Sequence, residues 1–381
     1  MMRFVLRDKE NDMQVPMLDL RAQYAAIKPE IDAAVAGVLE SQQFRGGAPV
    51  EAFETALAEF VGVKHAVGVG SGTDALLLAL KALSLRPGDE VITTSFSFFA
   101  TAGAIVNAGA IPVFADIAPD TFNIDPQAVE SLITPRTRVI MPAHLFGQCA
   151  RMDIIREIAD AHGLFVVEDM AQALGARLSD VSAGGWGHAA ACSFYPTKNL
   201  GAAGEGGAVL TNDNETAETV RLLRCHGASA LYKHVVVGVN SHLHTMQAAV
   251  LNVKLRYLAK WNEARREKAR YYTKQLSGIK GIQTPVEGAE QYHVYHQYVI
   301  RIPERDKARQ FLADNDIGCG VFYPIPLHRQ PCFTPYSVRE DPCANADQAS
   351  NEVLALPIYP ELTTDQQDLV IDAVIRHINT M

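Results

Sequence analysis

Three clusters in this chain could do chemistry together. The first is Gly68, Gly70, Ser71, Gly72, Thr73 and Asp74, where the apolar run HAVGVGSG gives way to the helix-like DALLLALKAL. Glycines let backbone N–H groups approach a ligand, and a helix N-terminus carries about half a positive charge, so the pattern suits a phosphate. The spacing is not GxGxxG and no Walker lysine follows, so dinucleotide and NTP readings lack support. A plain strand–helix turn would also carry these residues. The second cluster is VVEDMAQA, in which Asp169 ends an apolar strand. A carboxylate buried there needs a cation, a metal or several donors; capping the next helix is the simpler alternative. The third is SFYPTKNLGAAGEGGAVLTND, with aromatic residues before Lys198 and Gly201, Gly204, Gly206 and Gly207 after it. A nucleophilic lysine needs a partly desolvated site that lowers its pKa; a surface lysine in a flexible loop is the alternative.

In combination the three say more than each alone. A phosphate cradle, a strand-end acid and a loop lysine, in that order, meet the demands of pyridoxal 5'-phosphate (PLP). Its aldehyde needs a lysine, its ring nitrogen an acid, and its phosphate a set of donors.

The elements that must position them alternate. DEVITTS, IPVFADI, TRVIMPAHL, LFVVEDM, AAACSFY and GAVLTND read as strands, and ATAGAIVNAG and MDIIREIADAHG as helices. Such alternation predicts an α/β fold with a mostly parallel sheet covered on both faces, and ligands beyond the carboxyl ends of its strands. Tyr24, Ile27, Ile31, Val35 and Val38 recur at helical spacing, as do Phe53, Leu57 and Phe60. KLRYLAKWNEARREKARYYTKQL reads as one long charged helix, and a last helix falls near Gln366 to Ile378. The expected organisation is a tail over 1–12, a large domain over 13–255 and a smaller α+β domain over 256–381.

Composition excludes several classes. The 381 residues are 48% apolar and 20% charged, ordinary globular usage, which excludes disordered and fibrous chains. A net charge of −9 without a basic block argues against nucleic acid or an anionic membrane as partner. Val91 to Ala115 is uncharged but interrupted by Thr, Ser, Asn and Pro, and reads as buried core, not a membrane span. The six cysteines form no CxxC pair, so no metal site is expected, and free thiols fit a cytoplasmic protein.

The chain resembles the DegT/StrS sugar aminotransferase family, of the aspartate-aminotransferase-like (type I) PLP fold. The resemblance rests on SGTDAL, SFSFFATA, GAIPVFADI, HLFGQ, VVEDMAQALGA, SFYPTKNLGAAGEGGA, RLLRCHG, QAAVLNVKL and FYPIPLHRQ, from about PMLDLRAQY to the last helix. It implies that Lys198 binds the cofactor aldehyde covalently and that Asp169 pairs with the ring nitrogen. It implies Gln172 near the ring hydroxyl, Phe98 stacked on the ring, Gly72, Thr73 and Ser193 on the phosphate, and His144 beside the cofactor as a third catalytic residue. Asn240 would reach the phosphate of a neighbouring subunit, so a homodimer with shared sites is expected. Tyr323 and His328 would approach the sugar nucleotide. The implied reaction moves an amino group from L-glutamate to C3 or C4 of a keto-sugar nucleotide.

Two departures stand out. Where the family usually reads NSRLD this chain reads NSHLH, so His242 and His244 replace an arginine and an aspartate. A neutral histidine cannot supply the fixed charge of that arginine above about pH 7, and His242 is therefore a candidate substrate contact. Phe322 precedes Tyr323 where Tyr or His is common. The alternatives are a sugar dehydratase on the same scaffold, against which Lys198 argues, and a sensor or regulatory protein without turnover.

Overall fold

The computed structural model describes residues 14–336 and 342–380; the expected tail over 1–12 lies outside them. Seven runs of five residues form the central sheet: β1 (His65–Val69), β2 (Glu90–Thr94), β3 (Ile111–Ala115), β4 (Thr137–Met141), β5 (Phe165–Asp169), β6 (Ala189–Ser193) and β7 (Gly207–Thr211). They are apolar with little alternation because helices cover both faces of the sheet. Their spatial order is β1-β7-β6-β5-β4-β2-β3. In this sheet β7 alone runs antiparallel, wedged between β1 and β6. The carboxyl ends Val69, Thr94, Asp169 and Ser193 therefore open on one edge, and β7 begins there with Gly207.

The helices are α1 (Leu20–Ser41), α2 (Ala48–Val61), α3 (Gly72–Ala82), α4 (Phe99–Asn107), α5 (Pro126–Ser131), α6 (Met152–His162), α7 (Asn214–Leu223) and α8 (Thr245–Leu276). On one face of the sheet Phe53, Leu57, Ile155, Leu251 and Leu258 share a core. On the other, Leu76, Leu80, Ile105 and Val220 do so. The uncharged run from Val91 to Ala115 is β2, α4 and β3, and among the described residues no helix is long and apolar enough to cross a membrane.

Two expectations are corrected. In α1, Ile27, Ile31 and Val38 are buried as their spacing requires, but Tyr24 is exposed and bonds Asp32, while Gln23 takes the inward place. The long charged helix begins at Thr245, not near Lys254. Its first half packs Leu251, Leu255 and Leu258 into the large core. Its second half packs Ala269, Tyr272 and Leu276 into a separate core with β8 (Tyr298–Arg301), β9 (Val353–Leu356), α9 (Arg305–Asp314) and α11 (Thr364–Asn379). A boundary at 255 would fall inside α8; we keep two domains as a proposal, on this change of core. The second core also takes Val15, which bridges to Ile317.

Phe53 ties the core to the site-bearing edge, its ring meeting that of Phe194 edge-on at 5.2 Å. Phe194 follows Ser193 directly. Phe53→Ala should lower unfolding free energy by about 3–5 kcal/mol, read as a lower urea midpoint. A loss below about 1 kcal/mol would show that the edge does not depend on this packing.

Candidate active site

Lys198 sits on a tight turn whose two flanks are fixed. Its own N–H donates to Tyr195 O at 2.9 Å, and Ala202 N–H to Phe194 O at 2.8 Å. Gly201 is required there, since a Cβ would lie 2.2 Å from Pro196 O. Lys254 Nζ donates to Gly201 O at 2.8 Å. On the other flank the Asn199 amide donates to Asn262 Oδ1 at 2.8 Å and accepts from His296 Nδ1 at 3.1 Å. The Lys198 residue keeps some accessible surface, but the protein around it is dense. Desolvation pushes its ammonium below the ordinary lysine value of 10.5, and the charge of Asp169 opposes that shift. Among the described residues its amine makes no hydrogen bond.

Asp169 ends β5 and is 7% exposed. The Thr101 hydroxyl donates to its Oδ2 at 2.7 Å and Ala171 N–H to its Oδ1 at 3.2 Å. No helix follows β5, so Asp169 does not cap one as the simpler reading had it; it holds the turn after the strand, and its charge acts on the lysine. Glu168 points to the opposite face of the strand, as alternation requires. It accepts from the N–H groups of Gly184, Trp186 and Gly187 at 2.8, 2.9 and 2.6 Å. His144 joins it: Nε2 lies 2.8 Å from Glu168 Oε2, and Nδ1 accepts from Ala150 N–H at 3.1 Å. Both ring nitrogens are engaged, so His144 has none left to exchange a proton with substrate. These contacts favour a positioning role over the expected catalytic one, which we carry forward as a proposal; the His144 backbone N–H also holds Asp169 O at 2.9 Å.

The cradle forms where β1 meets α3. The Ser71 hydroxyl accepts from Asp74 N–H at 3.1 Å and caps the helix. The Gly72 and Thr73 N–H groups lie ahead of that bond, at a helix end with no partners inside the helix. A Cβ on Gly72 would lie 2.5 Å from Ser193 Cβ, so only glycine lets β6 bring Ser193 onto the helix end.

Gln172 and Tyr323 close the opposite side. Gln172 Oε1 accepts from Phe146 N–H at 2.8 Å, and Nε2 donates to Tyr323 OH at 3.0 Å. Burial, with Asp169 nearby, pushes the Tyr323 phenol well up. Tyr323 thus lies beside Gln172, and its expected approach to the sugar nucleotide stays a proposal. Phe98, 52% exposed, directly precedes α4, one turn before Thr101, its ring 6.3 Å from that of Tyr323. His328 does not join them: its Nε2 lies 3.2 Å from Asp347 Oδ1 in α10 (Ala344–Glu352). Arg329 grips that carboxylate with two bonds, at 3.1 and 2.7 Å.

Asn240 and His242 lie on the outer side of their segment, lining a cleft of about 280 Å³ with Phe44, Arg45 and His244. Burial first, then Arg45, pushes the His242 imidazole down to about 4.

These residues fit PLP. An unbonded amine of lowered pKa, a buried carboxylate, an open helix end and an exposed aromatic ring surround one edge. Sequence reasoning missed Thr101, although it lies inside SFSFFATA, one helical turn from Phe98. It also missed Glu168, the neighbour of Asp169, and His296, whose contact with the lysine loop spans 97 residues.

A model of the DegT/DnrJ/EryC1/StrS aminotransferase family matches residues 25–375. A pleiotropic regulatory protein of Geobacillus stearothermophilus is 48% identical over 95% of this chain and 98% of its own length. The dTDP-3-amino-3,4,6-trideoxy-alpha-D-glucose transaminase of Streptomyces venezuelae is 44% identical over 95% of each. The crystal structure of S. venezuelae DesV with a ketimine intermediate has a TM-score of 0.93 at 44% identity, over 96% of this chain and 98% of that one. The crystal structure of NtdA from Bacillus subtilis, with bound cofactor PMP, has a TM-score of 0.86 at 33% identity, over 93% and 82%. The resemblance read from the motifs, the α/β fold and the transaminase assignment all stand: the chain belongs to the DegT/DnrJ/EryC1/StrS aminotransferase family.

Proposed function

We propose that this chain holds PLP on Lys198 and transfers an amino group from L-glutamate to the C3 carbonyl of a keto-sugar nucleotide, in amino-sugar or O-antigen-type glycan biosynthesis. One observation carries the reading: a desolvated, unbonded Lys198 amine shares a sheet edge with a buried Asp169 and an open helix end. Position C3 is favoured over C4 because relatives that are 40–44% identical bear names with nitrogen or oxo at C3. They include the 3-aminotransferase of Acidithiobacillus ferrooxidans and the 3-oxo-D-glucuronate aminotransferase of Pseudomonas aeruginosa.

Bound there, PLP supplies an aldehyde that takes up the donor nitrogen and a ring that delocalises the charge left by a departing proton. The chain does the rest. Once the donor nitrogen has displaced it, the free Lys198 Nζ would take the proton from the donor α-carbon and deliver it to the carbon that had carried the aldehyde oxygen. Its lowered pKa keeps a larger share of the amine free to do so. Asp169 holds the proton on the ring nitrogen. A charge pair at 4 Å is worth about 1 kcal/mol in water but about 4 kcal/mol at an effective dielectric near 20, so burial of Asp169 matters. The Thr101 and Ala171 bonds keep that carboxylate aimed. Gly72, Thr73 and Ser193 donate to the phosphate, Phe98 covers the ring, and Gln172 with Tyr323 bounds its hydroxyl side. Asn240 faces outward and serves the phosphate of a second copy, so the working unit is a homodimer. The proposed small-molecule substrates call for neither nucleic acid nor membrane as partner and suit an enzyme of the cytoplasm.

The name of the Geobacillus relative favours a second reading, a regulatory protein. A dehydratase finds no support, because Lys198 is retained.

Purified protein loaded with PLP should aminate 3-keto-sugar nucleotides, in UDP or dTDP form, with L-glutamate consumed in equal amount. Lys198→Ala should abolish this while the chain stays folded. A wild-type protein that binds PLP and leaves glutamate untouched would favour the regulatory reading; full turnover in the variant would overturn the role of Lys198. Thr101→Val removes one donor from Asp169 with little change of shape. It should lower kcat about 10-fold, the equivalent of about 1.4 kcal/mol. An unchanged kcat would show that the hydroxyl does not aim the carboxylate.

A further inference from the structure

The outward cleft contains a cation that the reading above does not use. Residues 240–244 are extended, and their side chains alternate. Ser241 and Leu243 are buried, and the Ser241 hydroxyl accepts from Gly70 N–H at 2.9 Å and donates to Asp74 Oδ2 at 2.8 Å, behind this chain's own cradle. Asn240, His242 and His244 point the other way, into the cleft with Arg45. The loop that carries Arg45 is tied down: Arg45 bridges His244, Thr245 N–H donates to Phe44 O at 3.2 Å, and the Thr245 hydroxyl to Gly46 O at 3.0 Å.

Arg45 Nη2 lies against His242 Nε2. A guanidinium only donates, so Nε2 must present its lone pair and the ring must be neutral. Burial first, and then the cations Arg45 and Arg224, hold it so. Arg224 is neutralised by Glu54 at 2.6 Å. Arg45 has no carboxylate partner among the described residues. An aimed guanidinium, an amide beside it and no local anion suit a phosphoryl group. The cleft faces away from the chain's own cradle. In the segment that leads to Asn240, Leu231, Tyr232 and Val237 are 86%, 89% and 94% exposed, an apolar surface for a second copy to cover.

We infer that Arg45, aimed by His242 and flanked by Asn240, is an anion-binding residue that serves a phosphoryl group in the partner subunit's active site. This rests on the homodimer reading of the proposed function. The phosphoryl group is that of the cofactor, or the diphosphate of the sugar nucleotide, and the test separates them.

Native mass spectrometry of the wild-type holoenzyme comes first. A monomer would overturn the homodimer reading, and the inference with it. For a dimer, PLP affinity and the KM for sugar nucleotide are measured for Arg45→Gln. A roughly 10-fold loss of PLP affinity assigns Arg45 to the cofactor phosphate; a roughly 10-fold rise in KM with PLP affinity unchanged assigns it to the diphosphate. His242→Arg in the Arg45→Gln background should restore whichever is lost. Mixed dimers of Arg45→Gln with Lys198→Ala subunits then test the reach between subunits. They contain one intact site only if Arg45 serves the partner, and should regain wild-type affinity or KM in half their sites. A dimeric Arg45→Gln with both values unchanged, or mixed dimers without an intact site, would overturn the inference.

Discussion

Two opposed forces act on the amine of Lys198, and the site depends on their balance. Burial favours the neutral amine, which is the reactive form. The carboxylate of Asp169 favours the charged one, and in the proposed function it must stay charged itself to hold a cofactor's ring nitrogen. A small shift of Asp169 would change both, so much of the surrounding structure fixes that one carboxylate. Thr101 and Ala171 hold its oxygens. Behind the strand, Glu168 gathers three backbone N–H groups and His144, and His144 in turn holds the backbone of Asp169. Adjacent acids on one strand thus serve opposite faces: Glu168 locks the scaffold, and Asp169 faces the side on which its charge acts on Lys198.

The sheet edge supplies the rest by geometry. Parallel strands bring their carboxyl ends together, so Val69, Asp169 and Ser193 meet although they are far apart in sequence. The antiparallel β7 lets the chain leave β6 through a long loop and return beside it, and Lys198 sits in that loop. Close approach at Gly72 and the tight turn at Gly201 then set the spacing between the open helix end and the lysine. Few of these contacts are strong alone. Their effect is to leave little freedom to the groups that must act.

Much of this was legible in the sequence. Strand–helix alternation marked the sheet, and the rule that ligands bind past strand ends pointed to Asp169 and Ser71–Asp74. The glycines after Lys198 marked a loop in close contact. What stayed hidden involves pairing across long separations. Thr101 meets Asp169, His296 meets Asn199, and Arg45 meets His242 only once the fold is complete. His144 shows the converse: its type suggested chemistry, but only the structure shows both nitrogens occupied. Tyr24 kept helical spacing and still faces outward, because a phenol hydroxyl near Asp32 has a better partner at the surface. The start of α8 was hidden because its first turns are uncharged and packed in the large core, while charge marks only the later part.

The balance on Lys198 can be measured directly. Apoprotein would be exposed to formaldehyde and cyanoborohydride over a range of pH, and methylation of the Lys198 peptide followed by mass spectrometry. The reactive form is the free amine, so labelling rises with pH through the pKa of the lysine. The midpoint should lie below the ordinary 10.5, and Asp169→Asn, which removes the opposing charge, should move it lower still. A wild-type midpoint at or above 10.5, or an upward shift in the variant, would contradict the account.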